Sequence, residues 1–247
     1  MLCVEALRRY AAAVGSSLQV ERIAPPIGHW AFFPQVVPTD QLGEDGHPSR
    51  GGFLPPITLP RRMFAASEIE LRAPLRMAER AVLTDEIIDV APKASRSGPL
   101  VFVVVERRIA QGELCVLERQ TIVFRGPREP TARPAVDVHK PCDWLPRPVD
   151  LFRFSSATFN SHRIHYDGPY AQEVEGYPDL VVHGPLTAAR LFRFAEERLE
   201  RRPTRFRFRA TAPLFVDQPV RLLAGPGEGD VQAVRCDGVA AMAAEVA

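Results

Sequence analysis

The tripeptide Ala73-Pro74-Leu75 returns as Ala212-Pro213-Leu214, and the two copies continue at a common offset to Val82-Leu83 and to Val220-Arg221-Leu222. A strand signal precedes each copy: Glu68-Ile69-Glu70-Leu71 in the first, the alternating Arg205-Phe206-Arg207-Phe208-Arg209 in the second. Each half then closes on a long hairpin. The first runs from Leu100–Val105 through Gln111-Gly112 to the strands around Leu114–Phe124; the second takes Val231–Arg235 through the turn pair Asp237-Gly238 into Val239–Val246. Matching strands in matching order point to duplication of one antiparallel unit.

The halves differ in one respect. Pro185 suits a first helical turn because it lacks an N–H, and apolar residues then recur at Ala188, Leu191, Phe192, Ala195 and Leu199. Leu186 and Phe194 widen that stripe, so the spacing predicts a buried helix over 185–201, ended by Pro203. The corresponding stretch of the first half, 43–60, is rich in Gly and Pro and cannot hold a long helix. A buried helix wrapped by an antiparallel sheet is the hotdog arrangement. The expected class is therefore α+β, a double hotdog of two antiparallel sheets with one intact central helix in the C-terminal half. Prolines at 127, 130, 134, 141, 146 and 148 mark a linker over 127–149, which divides a degenerate hotdog domain (1–126) from a C-terminal domain (150–247).

Composition narrows the function classes. A chain of 247 residues, 46% hydrophobic and 25% charged, can bury a sizeable core and is neither disordered nor fibrous. No run reaches the ~18 apolar residues of a spanning helix, and Glu5, Arg8 and Arg9 interrupt any secretory leader, so a cytoplasmic location is expected. With 31 basic against 30 acidic residues there is no global footprint of a nucleic-acid binder, and any anion must be met locally. The basic side is almost wholly arginine, Lys93 and Lys140 being the two lysines, and guanidinium groups suit carboxylates and phosphates. Cys3, Cys115, Cys142 and Cys236 lack the spacing of a zinc site or disulfide framework, so reduced thiols and no metal are expected.

Chemistry concentrates in 152–167, where Asn160, His162, Arg163, His165, Tyr166 and Asp167 fall together. No acidic or cysteine partner stands at metal-ligand spacing from the histidines. A second block, Tyr177 to Leu186, ends a strand and opens the expected helix; there the Gly184 N–H, the free first-turn amides and the helix dipole favour an oxyanion. Arg50, Arg61 and Arg62 sit in or beside the Gly/Pro-rich stretch. Trp30, Phe32, Phe33 and Phe53 read as core or pocket wall.

These blocks resemble the MaoC-like hydratases and dehydratases, whose signature Ser-Gly-Asp-x-Asn-Pro-Leu-His-x-Asp carries an Asp–His dyad that activates water. The resemblance places His165 at the catalytic His, Asp167 at the following Asp, Asn160 at the catalytic Asp and His162 at the family's Asn. An amide cannot act as a general base, so Asn160 is expected to position the water. Thr158-Phe159-Asn160-x-His162-Arg163-Ile164-His165-Tyr166-Asp167 is similar to the double-hotdog branch of the mesaconyl-C4-CoA and itaconyl-CoA hydratases. So are Gly28-His29-Trp30-Ala31-Phe32-Phe33, the run from Leu42 to Pro56 and Leu59-Pro60-Arg61-Arg62-Met63.

The resemblance implies reversible addition of water to the α,β double bond of a short, branched dicarboxyl-CoA. His165, Asn160, His162 and Gly184 would be catalytic; Arg50, Arg61, Arg62, Asp167 and His183 would bind substrate. On an extended segment Arg61 and Arg62 point to opposite sides, so only one should meet the acyl carboxylate. No cofactor is implied, coenzyme A belonging to the substrate. The expected partner is the acyl-CoA thioester, with no nucleic acid and no membrane, and the chain is expected to be a monomeric double hotdog or a homodimer. Two alternatives stand beside this reading: a 3-hydroxyacyl-thioester dehydratase acting on acyl carrier protein or CoA, and a non-catalytic acyl-thioester binding subunit.

Overall fold

The computed structural model describes residues 1–16, 22–95, 98–127, 130, 132–134 and 142–247. Much of the proline-rich stretch 127–149 lies outside them. Eight strands form one antiparallel sheet: β1 (Arg61–Leu71), β2 (Val82–Ser95), β3 (Gly98–Gln111), β4 (Glu113–Arg125), β5 (Arg205–Ala210), β6 (Val220–Ala224), β7 (Asp230–Arg235) and β8 (Ala240–Val246). Their order across the sheet is β2-β3-β4-β1-β5-β8-β7-β6. Read outward from the centre, the halves run β1-β4-β3-β2 and β5-β8-β7-β6, one topology used twice. The two expected sheets thus continue into each other through the β1–β5 pair.

Period-2 alternation divides the faces of these strands. Glu106, Arg119, Glu68, Arg207 and Glu245 follow one another in register across five strands and cross the junction as a row of alternating charge. Within it Arg119 bonds Glu106 at 2.8 Å and Arg207 bonds Glu245 at 2.5 Å. A one-residue slip would turn this row into the core, so it helps hold the register. On the opposite face Ile69, Phe206 and Phe208 are buried.

The central helix, α3 (Gly184–Glu196), covers that face of the second half and fully buries Leu186, Ala188, Leu191, Phe192 and Ala195. It ends five residues before the expected Arg201. Glu197 and Leu199 still bond back to Arg193 and Ala195, but 197–198 form a turn, and the charged residues 200–202 have no apolar face left to bury. In the first half residues 43–60 contain no α-helix. Leu54, Ile57 and Leu59 pack instead on Val103, Val105 and Phe124 of β3 and β4.

Two further helices escape the sequence reading. α1 (Val4–Val14) buries Leu7, Tyr10, Ala11 and Val14. α2 (Pro148–Thr158) has Pro148 in its first turn and the Asp150 carboxylate accepting the Arg147 N–H at 2.8 Å. They pack together, with the rings of Tyr10 and Phe154 6.1 Å apart. A buried carboxylate ties the Gly28–Trp30 segment to the sheet. Glu118 accepts hydrogen bonds from His29, Trp30 and Ser67 at 2.8–3.1 Å. Burial pushes the Glu118 pKa up, but bonding to His29 outweighs it and holds the carboxyl at about 2. Among the described residues, no helix is long and apolar enough to cross a membrane.

Candidate active site

β1 pairs with β5 only over 66–70, so its first five residues run past the end of β5. There the sheet opens into a cleft of about 1040 Å³ between the two halves. The exposed rings of Phe53, Phe152, Phe159 and Tyr166 stand along it.

His165 ends the short turn Arg163–His165, which is clamped by a single residue. The Val181 N–H donates to Ile164 O at 2.9 Å, and the Val181 carbonyl faces Nδ1 of His165 at 2.6 Å. A carbonyl can only accept, so Nδ1 carries the proton and Nε2 of the neutral ring presents a lone pair. Burial pushes the His165 pKa down to about 4, against the hydrogen bond to Val181, which raises it. The ring is therefore a neutral acceptor at neutral pH.

Behind it, His183 stacks on His165 with centroids 3.6 Å apart and planes 19° from parallel. His183 is completely buried; its Nε2 lies 2.9 Å from the Ser155 hydroxyl and its Nδ1 has no hydrogen-bond partner among the described residues. On the other side His162 stands edge-on to His165 at 5.4 Å and to His47 at 4.3 Å. Four imidazoles thus form a row from the first half's loop to the start of α3. Burial holds all four below the ordinary histidine range, His47 at about 3. The Asn160 side chain accepts the His162 N–H through Oδ1 at 3.0 Å, which fixes the loop and leaves the amide group at the cleft wall. Gly184 opens α3 at the same wall, and its N–H has no acceptor among the described residues.

The sequence reading missed two neighbours. Asp45 and His47 reach the site from the first half because Gly46 turns at φ 83° directly beneath the Ser161 carbonyl. Ser161 Oγ donates to Gly46 O at 2.5 Å and the Arg163 N–H to Asp45 O at 2.9 Å. Burial raises the Asp45 pKa, but Arg62 and His47 outweigh it and hold the carboxyl below its usual range. Asp45, His47 and His162 bring their donor atoms within 4.8 Å, the one grouping of metal-ligand type among the described residues. Asp45 already binds the Arg62 guanidinium at 3.0 and 3.2 Å, and that charge opposes a cation at the same carboxylate.

The residues expected to bind substrate separate. Arg62 lines the cleft, held by Asp45 and by Pro48 O at 3.0 Å. Arg50 does not; it donates to the carbonyls of Ile57 and Leu59 and staples its own loop. Arg61 is buried against Glu175 and the ring of Tyr177. Asp167 turns away to Arg163 at 2.7 Å and the Tyr170 N–H at 3.1 Å. His183 backs His165 and is absent from the cleft wall.

Comparison with known proteins places this geometry. The hydroxyacyl-thioester dehydratase type 2 family matches residues 27–216. The chain is 48% identical over 231 residues to mesaconyl-C(4)-CoA hydratase of Chloroflexus aurantiacus, covering 90% of this chain and 82% of that protein. Among solved structures it is similar to HtdX of Mycobacterium tuberculosis, with a TM-score of 0.71 at 17% identity over 99% of this chain and 96% of that one. A second M. tuberculosis protein, described as having a double hotdog fold, matches with a TM-score of 0.56 at 12% identity over 100% and 92%.

Proposed function

We propose a reaction from the premise that this chain belongs to the hydroxyacyl-thioester dehydratase type 2 family: it is a hydro-lyase that adds water reversibly to the α,β double bond of a short, branched dicarboxyl-CoA. The observation that carries the chemistry is the His165 ring, whose Val181 bond leaves an unprotonated Nε2 in the same cleft that the Gly184 amide lines. Water positioned by Asn160 gives a proton to Nε2 as its oxygen bonds to the β carbon. The π electrons move onto the thioester oxygen, and the Gly184 N–H and the α3 dipole stabilise that enolate. The imidazolium, with His162 beside it, then returns the proton to the α carbon, so that one water is added and the ring is restored. Run backwards, the same steps dehydrate a 3-hydroxyacyl thioester.

The 48% identity to a mesaconyl-C(4)-CoA hydratase supports mesaconyl-C4-CoA as substrate and citramalyl-CoA as product. In that substrate the free carboxylate is attached to the carbon that water attacks, so its partner must stand near the imidazole row. Arg62 meets this condition: it lines the cleft and is aimed by Asp45. The test is loss of enoyl-thioester absorbance on incubation with mesaconyl-C4-CoA, itaconyl-CoA and crotonyl-CoA. Mesaconyl-C4-CoA is expected to react fastest. Faster turnover of crotonyl-CoA would overturn the dicarboxyl assignment, and no turnover of any would overturn the hydro-lyase.

A further inference from the structure

The described part of the cleft wall carries three guanidinium groups, and two are balanced: Arg62 by Asp45, and Arg107 by Asp85 at 2.8 Å. Arg125, the last residue of β4, has neither a carboxylate partner nor a hydrogen-bond acceptor among the described residues, and its Nε is buried. Its register partner across the β1–β4 ladder is Arg61, so the two side chains leave the same face of adjacent strands. Arg61 is only 4% exposed. It bonds Glu175 through Nε alone, lies over Tyr177 at 4.7 Å, and keeps both Nη1 and Nη2 buried without an acceptor.

Of the two guanidinium groups, only that of Arg61 therefore has a carboxylate, and three of their nitrogens are buried donors without an acceptor among the described residues. Orphaned donors of this kind are costly in a resting protein, more so when charged, and an oxyanion with several acceptor oxygens is the ligand that satisfies them. We propose that Arg125, backed by Arg61, forms an oxyanion subsite of the cleft that is filled by an anionic group of the thioester substrate. This rests on the reading that the cleft takes an acyl thioester. Two parts of such a substrate offer the required chemistry: the free carboxylate of the acyl group and the phosphates of coenzyme A.

Calorimetry with four unreactive saturated ligands separates these sources. Methylsuccinyl-CoA carries carboxylate and phosphates, butyryl-CoA only phosphates, methylsuccinyl-N-acetylcysteamine only the carboxylate, and butyryl-N-acetylcysteamine neither. Arg125→Gln is expected to weaken binding roughly ten- to one-hundred-fold for every ligand bearing the recognised anion and to leave butyryl-N-acetylcysteamine unchanged. Loss on both CoA thioesters identifies the phosphates, and loss on both methylsuccinyl ligands the carboxylate. Arg125→Lys keeps the charge and should retain most of the affinity. Unchanged binding of all four ligands to Arg125→Gln overturns the subsite, as does equal weakening that includes the neutral thioester, or a wild-type protein that binds none. A wild-type protein that binds these ligands yet hydrates no enoyl thioester defeats the proposed reaction and leaves the subsite standing.

Discussion

Acidification should destabilise this protein well before its carboxylates are protonated, because the imidazole row is built to stay neutral. Take His165 alone, buried at the cleft wall, with its pKa moved from the ordinary 6.5 down to about 4. Above pH 6.5 the ring is neutral in both the folded and unfolded chain and contributes nothing to the pH dependence. Below it the unfolded chain takes up a proton that the folded chain refuses, and stability falls until about pH 4. Linkage makes the loss roughly 2 kcal/mol between pH 7 and pH 5. His47, His162 and His183 are displaced in the same direction, so this is a lower bound. Glu118 and Asp45 are depressed carboxyls; their stabilisation is complete above their ordinary range and is lost only at lower pH, outside this window. Urea denaturation at half-unit steps of pH measures the slope. His165→Gln should reduce it by nearly one proton, about 1 kcal/mol per unit of pH near pH 5. Stability constant within about 0.5 kcal/mol from pH 7 to pH 5 would refute the reasoning, since four buried neutral imidazoles cannot coexist with a flat profile.

Three substitutions probe the site from other directions. Asn160→Ala should lower kcat while leaving KM for the thioester nearly unchanged, because the amide orients water rather than the acyl chain; steady-state kinetics with an unaltered kcat would remove it from the mechanism. Gly46→Ala places a Cβ 2.0 Å from Ser161 O at a positive φ. Overpacking and the left-handed backbone together should cost about 2–5 kcal/mol, read as a lowered melting temperature, and a wild-type melt would contradict the close approach. Arg62→Gln should depress kcat/KM for mesaconyl-C4-CoA at least about tenfold more than for crotonyl-CoA. Equal losses, matched by Asp45→Asn, would mean that Arg62 serves only to hold the 45–48 loop.

What the sequence could disclose follows the range of each interaction. The repeated Ala-Pro-Leu strings and their flanking alternation are local patterns, and they foretold a strand order that proves to be the same in both halves. The Pro185 start and the apolar stripe behind it marked α3, whose first residue also supplies the free Gly184 amide. Pro148 misled: among so many prolines it reads as part of a linker, although a proline costs nothing in a first helical turn, and α2 begins there. α1 escapes the reading although its signal is legible: Leu7, Tyr10, Ala11 and Val14 recur at helical spacing and Gly15 follows in the left-handed region as a helix stop. The arginines show where sequence stops. Charge names a group that can bind an anion, but its direction is set by distant partners: the loop's own carbonyls for Arg50, Glu175 for Arg61, Asp45 for Arg62.

The same limit explains Asp45 and His47, which approach His162 only through tertiary structure, and the architecture supplies the reason they can. A central helix over the first half would fill a cylinder about 10–12 Å across with its side chains, and residues 43–60 place no such cylinder there. Where the first half exchanges a helix for residues 43–60, that segment lines the cleft instead, through Gly46, His47, Pro48, Phe53 and Leu54. The covering segment keeps to the sheet because Leu54, Ile57 and Leu59 have an apolar floor on β3 and β4, and because Arg50 ties its carbonyls together. With no helix to cross, its Asp45–Pro48 turn can reach over to the second half and set a carboxylate, a guanidinium and a fourth imidazole against His162. The half without a central helix therefore contributes groups that an intact hotdog would exclude, and the irregular segment 43–60 is what brings chemistry from both halves to one cleft.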